Sequence, residues 1–221
     1  MSEPKLTGRT AVITGASRGL GKAMALALAD AGAGLALVAR DREALNTTAA
    51  EAQKRGSDAR VFVADVADEK QVALLEKDVS AHFGAVHILI NNAGVNIRKP
   101  ITEFTLAEWN KVLDTNLTSV FLLCRAFVPH MKGHGYGRIV NLGSTMAHVS
   151  IAHRTAYSAS KAAVLGMTKA LALELAPEGI TVVAISPGPF ATEMNTPLIE
   201  NPEVNRQFVA KIPVGRWGKV E

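Results

Sequence analysis

The sequence predicts an α/β fold, a doubly wound parallel sheet in a single domain. Two observations carry that expectation. Apolar pentads rich in β-branched residues alternate with longer stretches of helical periodicity, as expected for a parallel sheet covered on both faces. The first pentad also runs directly into a glycine-rich turn that opens a helix, with no repeat or low-complexity run anywhere in the chain.

Six strands follow in order, over residues 10–14, 35–39, 60–64, 87–91, 138–142 and 181–185. Helical periodicity fills 20–31, 42–55, 69–83, 107–131 and 156–175, the last stopped by Pro177. Each helix is long enough for a right-handed crossover between parallel strands. In such a sheet ligands bind outside the carboxyl ends of the strands, where the strand order reverses, so the residues just after each strand are the ones to search for chemistry.

Composition sets the bounds. The chain has 221 residues, 48% of them hydrophobic and 20% charged, which suits one domain burying roughly 70% of its unfolded surface. With 9 prolines and plentiful Leu, Ile, Val and Ala, a disordered or collagen-like chain is excluded. Cys124 is the sole cysteine, so no intramolecular disulfide forms; in the stretch Phe121-Leu122-Leu123-Cys124 it reads as a small core residue in a reducing compartment. Residues 1–10 hold Glu3, Pro4, Lys5 and Arg9 without an apolar leader core, and no run of about 18 uncharged apolar residues occurs, which predicts a cytoplasmic protein without a membrane partner. The net charge of +4 is spread along the chain, with few aromatics to stack bases, and this argues against a nucleic-acid partner.

The first strand leads into Thr14-Gly15-Ala16-Ser17-Arg18-Gly19-Leu20-Gly21. Three glycines there permit a tight turn, close approach of a phosphate to backbone and close helix packing, so a phosphate-bearing cofactor is favoured over a purely structural turn. After the second strand, where a carboxylate would bond an adenosine ribose, stand Ala39 and Arg40. Arg40, with Arg18 from the turn, offers forked cationic donors and favours NADP over NAD. Asp65 after the third strand serves equally well as an acceptor for adenine or as turn chemistry, with Val66 beside it. Asn91-Asn92-Ala93-Gly94 ends the fourth strand in small residues that let backbone lie against a cofactor. Ser144 follows the fifth strand, and Tyr157 and Lys161, four apart, share a face of the next helix. An ammonium beside a phenol stabilises phenolate, which makes tyrosine a proton donor and acceptor, while the serine hydroxyl can hold a substrate oxygen. His130 and His134 lack a third ligand nearby and stand among glycines, so no metal site is expected.

Taken together, residues 14–21, 91–94, Asn116, Ser144, Tyr157, Lys161 and Pro187-Gly188 resemble the short-chain dehydrogenase/reductase family over essentially the whole chain. The resemblance implies a Rossmann-type fold over 1–221 and hydride transfer between NADP and a carbonyl or secondary alcohol. Tyr157 would be the general acid/base, Lys161 would hold the nicotinamide ribose and lower the tyrosine pKa, Ser144 would orient the carbonyl, and Asn116 would support a proton relay. Gly15, Ser17, Arg18, Gly19, Leu20, Gly21, Arg40, Asp65, Val66, Asn92, Ala93, Gly94, Tyr157, Lys161, Pro187, Gly188 and Thr192 would line the cofactor, and 189–213 would form a substrate lid with Phe190, Met194 and Leu198 facing substrate. Family members continue past Arg216-Trp217-Gly218 through another helix and a final strand, so the sixth strand here is expected to be a sheet edge. The helices before and at Tyr157 form dimer contacts in relatives, which implies a homodimer or homotetramer.

Asn96, Arg98, His148, His153 and Arg154 promise a polar, cationic pocket mouth fit for a carboxylate. The runs 150–157 and 187–194 are similar to gluconate 5-dehydrogenase-like members, which implies a sugar-acid substrate, with Ser144, His153, Arg154 and Phe190 contacting it. A 3-oxoacyl-acyl-carrier-protein reductase is the alternative. A catalytically silent NADP-binding scaffold is a third reading, disfavoured by the full Asn116, Ser144, Tyr157 and Lys161 set.

Overall fold

A computed structural model describes residues 5–220. Its centre is a six-stranded parallel sheet in the order β3-β2-β1-β4-β5-β6. The strands are β1 (Thr10–Thr14), β2 (Gly34–Ala39), β3 (Ala59–Val63), β4 (Ile88–Asn91), β5 (Gly137–Leu142) and β6 (Ile180–Ile185). Every residue of β1 is buried, because a central strand of a doubly covered sheet must be apolar on both faces. Its side chains alternate between two cores. Val12 joins Leu89, Phe127 and Ile139 on one face, while Ala11 and Ile13 join Leu35, Leu37 and Leu45 on the other.

Helices α1 (Gly19–Asp30), α2 (Arg42–Gln53) and α3 (Glu69–Phe83) connect the first four strands. Asp41 caps α2 by accepting from the Ala44 amide, and Asp68 caps α3 by accepting from the Lys70 and Gln71 amides. At the start of α4 (Leu106–Leu113), Thr105 and Glu108 form a reciprocal capping box. The helix bearing Tyr157 and Lys161 is α6 (Thr155–Leu175), and the last segment folds into α7 (Thr196–Ile199) and α8 (Pro202–Val209).

Strand bounds differ from expectation by a residue at most, as where β3 begins and ends one residue early. The expected continuous helix over 107–131 is instead subdivided. α4 passes through a π-helical turn, Asp114–Thr118, into α5 (Ser119–Phe127), and a 3-10 turn containing Pro129 ends the run. Apolar periodicity runs through the π turn unbroken, so the sequence hides it. The run 106–130 is long and apolar enough by composition to cross a bilayer, yet Val120, Leu122, Leu123 and Phe127 are buried in the sheet core. Among the described residues β6 is a sheet edge, and its Val183 and Ile185 are about half exposed.

The strand order reverses between β1 and β4, and one hydroxyl joins their ends. Thr14 Oγ1 accepts from the Asn92 and Ala93 amides at 3.0 and 3.1 Å and donates to the Ile90 carbonyl at 3.3 Å. In return Asn92 Nδ2 donates to the Thr14 and Gly15 carbonyls at 2.9 and 3.2 Å. Replacing Thr14 by Val keeps the shape and removes the acceptor for two buried-side amides. Thr14→Val should therefore destabilise the fold by about 1–3 kcal/mol in urea unfolding, and a midpoint equal to that of the parent would refute this role for the hydroxyl.

Candidate active site

A cleft of about 620 Å³ opens at the reversal point, a volume usual for sites that take small molecules and cofactors. At one end lies the glycine turn. Gly15 has φ +65°, and a Cβ there would lie 2.7 Å from Asn92 Nδ2. A Cβ at Gly21 would lie 2.1 Å from the Gly15 carbonyl oxygen, so no other residue fits. Arg18 occupies the N-cap of α1 without capping it, which leaves first-turn amides free of a side-chain acceptor and turned toward the cleft. Such a cradle fits the pyrophosphate of a dinucleotide. Ser17, Gly19, Leu20 and Val66 line the same cleft, as do Ala93, Gly94, Pro187, Gly188 and Thr192.

Arg40 also lines it, with its side chain 67% exposed and one guanidinium nitrogen 3.5 Å from the Asp65 carboxylate. Of the two roles open to Asp65, turn chemistry is visible, because its other oxygen accepts from the Ala67 amide at 3.0 Å. Asn96, expected at the pocket mouth, lines the cleft, and sequence reading missed Asp41, Val95, Leu142 and Asn195, which line it too. Val95 continues a motif already noted, whereas nothing local marks the other three.

At the far end stand Ser144, Tyr157 and Lys161. Ser144 follows β5 and caps a 3-10 turn, its Oγ accepting from the Met146 amide at 3.1 Å and sharing a hydrogen bond with Tyr157. Burial pushes the Tyr157 phenol above its ordinary pKa, against the opposing pull of Ser144, Arg154 and Arg98. The Lys161 ammonium lies 5.8 Å from the Tyr157 ring centre and donates to the Leu142 carbonyl at 2.6 Å. At neutral pH the phenol is therefore protonated and ready to donate. Burial pulls Lys161 itself down to about 8.

Asn116 is fully buried in the π turn. Its Oδ1 accepts from the Val95 amide at 2.8 Å, and its Nδ2 donates to the Val95 carbonyl and to Ser160 Oγ, both at 3.0 Å. The side chain thus fixes the cleft wall at Val95. Phe190 lines the cleft, whereas His153 and Arg154 are not among the residues that do. His153 is exposed, with a left-handed backbone at φ +65°, because the chain reverses there to enter α6. Arg154 is 6% exposed, and His148 hydrogen-bonds Ser186 Oγ at 3.1 Å. Leu198 belongs to α7, outside the cleft lining, while Met194 lies within it.

The segment after Gly188 is pinned at both ends. Phe190 forms a bridge with Gly218, whose amide donates to the Pro189 carbonyl at 2.8 Å. Trp217 stacks on Phe208 of α8, with ring centres 4.8 Å apart. Elsewhere, His130 pairs with Glu76, and His134 lies beside His87, so the two histidines of the spacing 130 and 134 face different partners. Cys124 is buried, which pushes its thiol up to about 12, as suits a core residue.

The cost of the site is readable in Lys161. In the unfolded chain its proton leaves near the ordinary 10.5, in the fold near 8, so between those values the unfolded state binds more protons and stability rises with pH. Lys161→Met should abolish that rise, stabilise the protein at neutral pH by about 1–4 kcal/mol and eliminate turnover. Thermal melts on either side of pH 8, run beside an activity assay, check all three.

The family model for short chain dehydrogenases matches residues 9–203. Gluconate 5-dehydrogenase of Gluconobacter oxydans is 36% identical, with the match covering 100% of this chain and 88% of that protein. The 3-oxoacyl-[acyl-carrier-protein] reductase FabG of Staphylococcus aureus is also 36% identical, over 96% of this chain and 85% of the relative. A crystal structure from Beutenbergia cavernae, provisionally assigned as an NAD(P)-dependent gluconate 5-dehydrogenase and holding NADP at low occupancy, superposes with a TM-score of 0.93 at 38% identity, covering 100% of this chain and 88% of that one. The chain belongs to the short-chain dehydrogenase/reductase family and is an oxidoreductase acting on CH–OH groups.

Proposed function

We propose that this protein is an NADP-dependent reductase and dehydrogenase acting on a small sugar acid of the 5-ketogluconate/gluconate type. The observation that supports it best is the continuity of one cleft, with Arg18 and Arg40 at one end and the Ser144-Tyr157 hydroxyl pair at the other. The glycine turn and α1 N-terminus would hold the pyrophosphate, Arg40 and Arg18 the ribose phosphate, and Lys161 the nicotinamide ribose. Bound NADPH would supply the hydride.

The chain's own part is the proton. Tyr157 Oη, kept protonated by burial, donates to the carbonyl oxygen as it gains negative charge, and Ser144 Oγ holds that oxygen in place. Asn116 acts as a positioning residue by fixing Val95. In the reverse direction Tyr157 must first lose its proton, so alcohol oxidation gains from alkaline pH. A polar lining that includes Asn96 and Asn195 suits a polyhydroxylated substrate. The protein would work in the cytoplasm as a homodimer or homotetramer. A second reading, 3-oxoacyl-acyl-carrier-protein reductase, is favoured by the equal 36% identity to that relative.

NADPH oxidation followed at 340 nm, with 5-ketogluconate and an acetoacetyl thioester side by side, separates the two readings. Tyr157→Phe should lower kcat by at least about 10²-fold while NADPH binding persists, since the ring stays and only the proton is lost. Normal turnover by that variant would refute the assigned role. Arg40→Asp should reduce the NADPH-to-NADH ratio of kcat/KM by roughly tenfold or more, the worth of one charge-assisted hydrogen bond. An unchanged ratio would show that Arg40 does not read the phosphate.

A further inference from the structure

Near Tyr157 lie two cations that nothing among the described residues neutralises. Arg154 is 6% exposed, stands at the N-cap of α6 without making a side-chain cap, and has an Nη1 with no hydrogen-bond partner. Arg98 donates through Nη2 to the Met194 carbonyl and to Asn195 Oδ1, both at 3.0 Å, while its Nε is buried and unpartnered. Arg154 feels the charge of Arg98, and both feel Tyr157. Among the described residues neither has an ion-pair partner, although ten other pairs form.

Burying one unpaired charge costs several kcal/mol, and placing a second like charge beside it adds repulsion. Folds keep such an arrangement where an anion arrives from outside. The third buried polar atom without a partner in this region is Asn96 Oδ1, an acceptor two residues from Arg98. Two forked donors and one acceptor together match a carboxylate and a neighbouring hydroxyl.

We propose that Arg98 and Arg154 form the seat for a carboxylate of the substrate, with Asn96 Oδ1 accepting from an adjacent hydroxyl, so that the site selects a small hydroxy or oxo acid. The seat adjoins the cleft through residues that line it, Arg98 through Met194 and Asn195, and Arg154 through Tyr157. Arg98 thereby also links the seat to the segment after Gly188, because a carboxylate competes for the same guanidinium that now holds Met194 and Asn195. The proposal rests on the sugar-acid reading above and sharpens it. A β-ketoacyl thioester carries no carboxylate to fill this seat.

The test uses the NADP⁺-saturated protein and calorimetric titration with D-gluconate and with D-glucitol, its neutral counterpart. Arg154→Gln should weaken gluconate at least tenfold, and Arg154→Lys, which keeps the charge but loses the fork, should recover part of that loss. In steady state with 5-ketogluconate, the same Gln variant should raise KM far more than it lowers kcat. NADPH fluorescence verifies that each variant is folded. If Arg154→Gln binds gluconate as the parent does, or if the parent binds no gluconate, the seat is overturned. Equal loss of gluconate and glucitol overturns it too, since that marks a structural role. If the parent binds gluconate in an Arg154-dependent way yet turns over only the thioester, the seat stands and the sugar-acid reading falls. Turnover of 5-ketogluconate that ignores Arg154→Gln has the opposite meaning.

Discussion

The meeting of β1 and β4 is the constraint on which the rest of this molecule depends. Parallel strands whose neighbours depart in opposite directions leave a crevice at their carboxyl ends, and there backbone amides have no ladder partners. Thr14 and Asn92 satisfy them reciprocally, hydroxyl to amides and amide to carbonyls. The same Asn92 amide lies within 2.5 Å of where a Cβ on Gly21 would be, so the junction also dictates how closely α1 approaches the sheet. The closeness of the turn to the sheet and the stability of the fold are therefore written on the same atoms, and the glycine turn cannot drift without unpicking the centre of the sheet.

From that junction the reacting groups are placed by a second set of buried polar contacts. Asn91 and Asn141 face one another in register on β4 and β5, and their amides connect at 2.8 Å. Asn141 continues to Thr168 on α6 at 2.9 Å. Lys161, a helical turn or two before Thr168, donates to the carbonyl that ends β5. α6 is thus fastened to the sheet by hydrogen bonds rather than by packing alone, and its Tyr157 and Lys161 inherit that rigidity. Asn116 extends the network to Val95 through the π turn, an irregularity that re-aims one side chain and is otherwise hard to justify in a buried helix.

Much of this was legible in the residues. Strand identity and order of elements followed from apolar pentads such as Thr10–Thr14, because a doubly covered sheet imposes composition as well as pattern. The glycine turn, Ser144, Tyr157 and Lys161 were legible because each stands just beyond a strand or at the start of a helix, where chemistry concentrates in this topology. The π turn was not, since apolar residues continue on either side of it and no proline or glycine marks it. Nor was the burial of Arg154. On paper, an arginine beside His153 and before a helix looks solvated, and only the tertiary fold reveals that it is enclosed and unpaired. The surroundings of Tyr157 were hidden for a related reason: spacing gives the neighbour on the helix, Lys161, but the dielectric around the phenol is a property of the whole pocket.

Arg40, in the cleft lining, and Arg154, outside it, stand under opposite physical conditions. Arg40 stands 67% exposed with Asp65 at 3.5 Å, so any attraction it exerts on an anion works through water and is weakened by salt. Arg154 is enclosed, where the same charge is barely screened and its desolvation has been met during folding. An enclosed arginine discriminates steeply, because a ligand lacking the matching anion leaves its buried charge uncompensated.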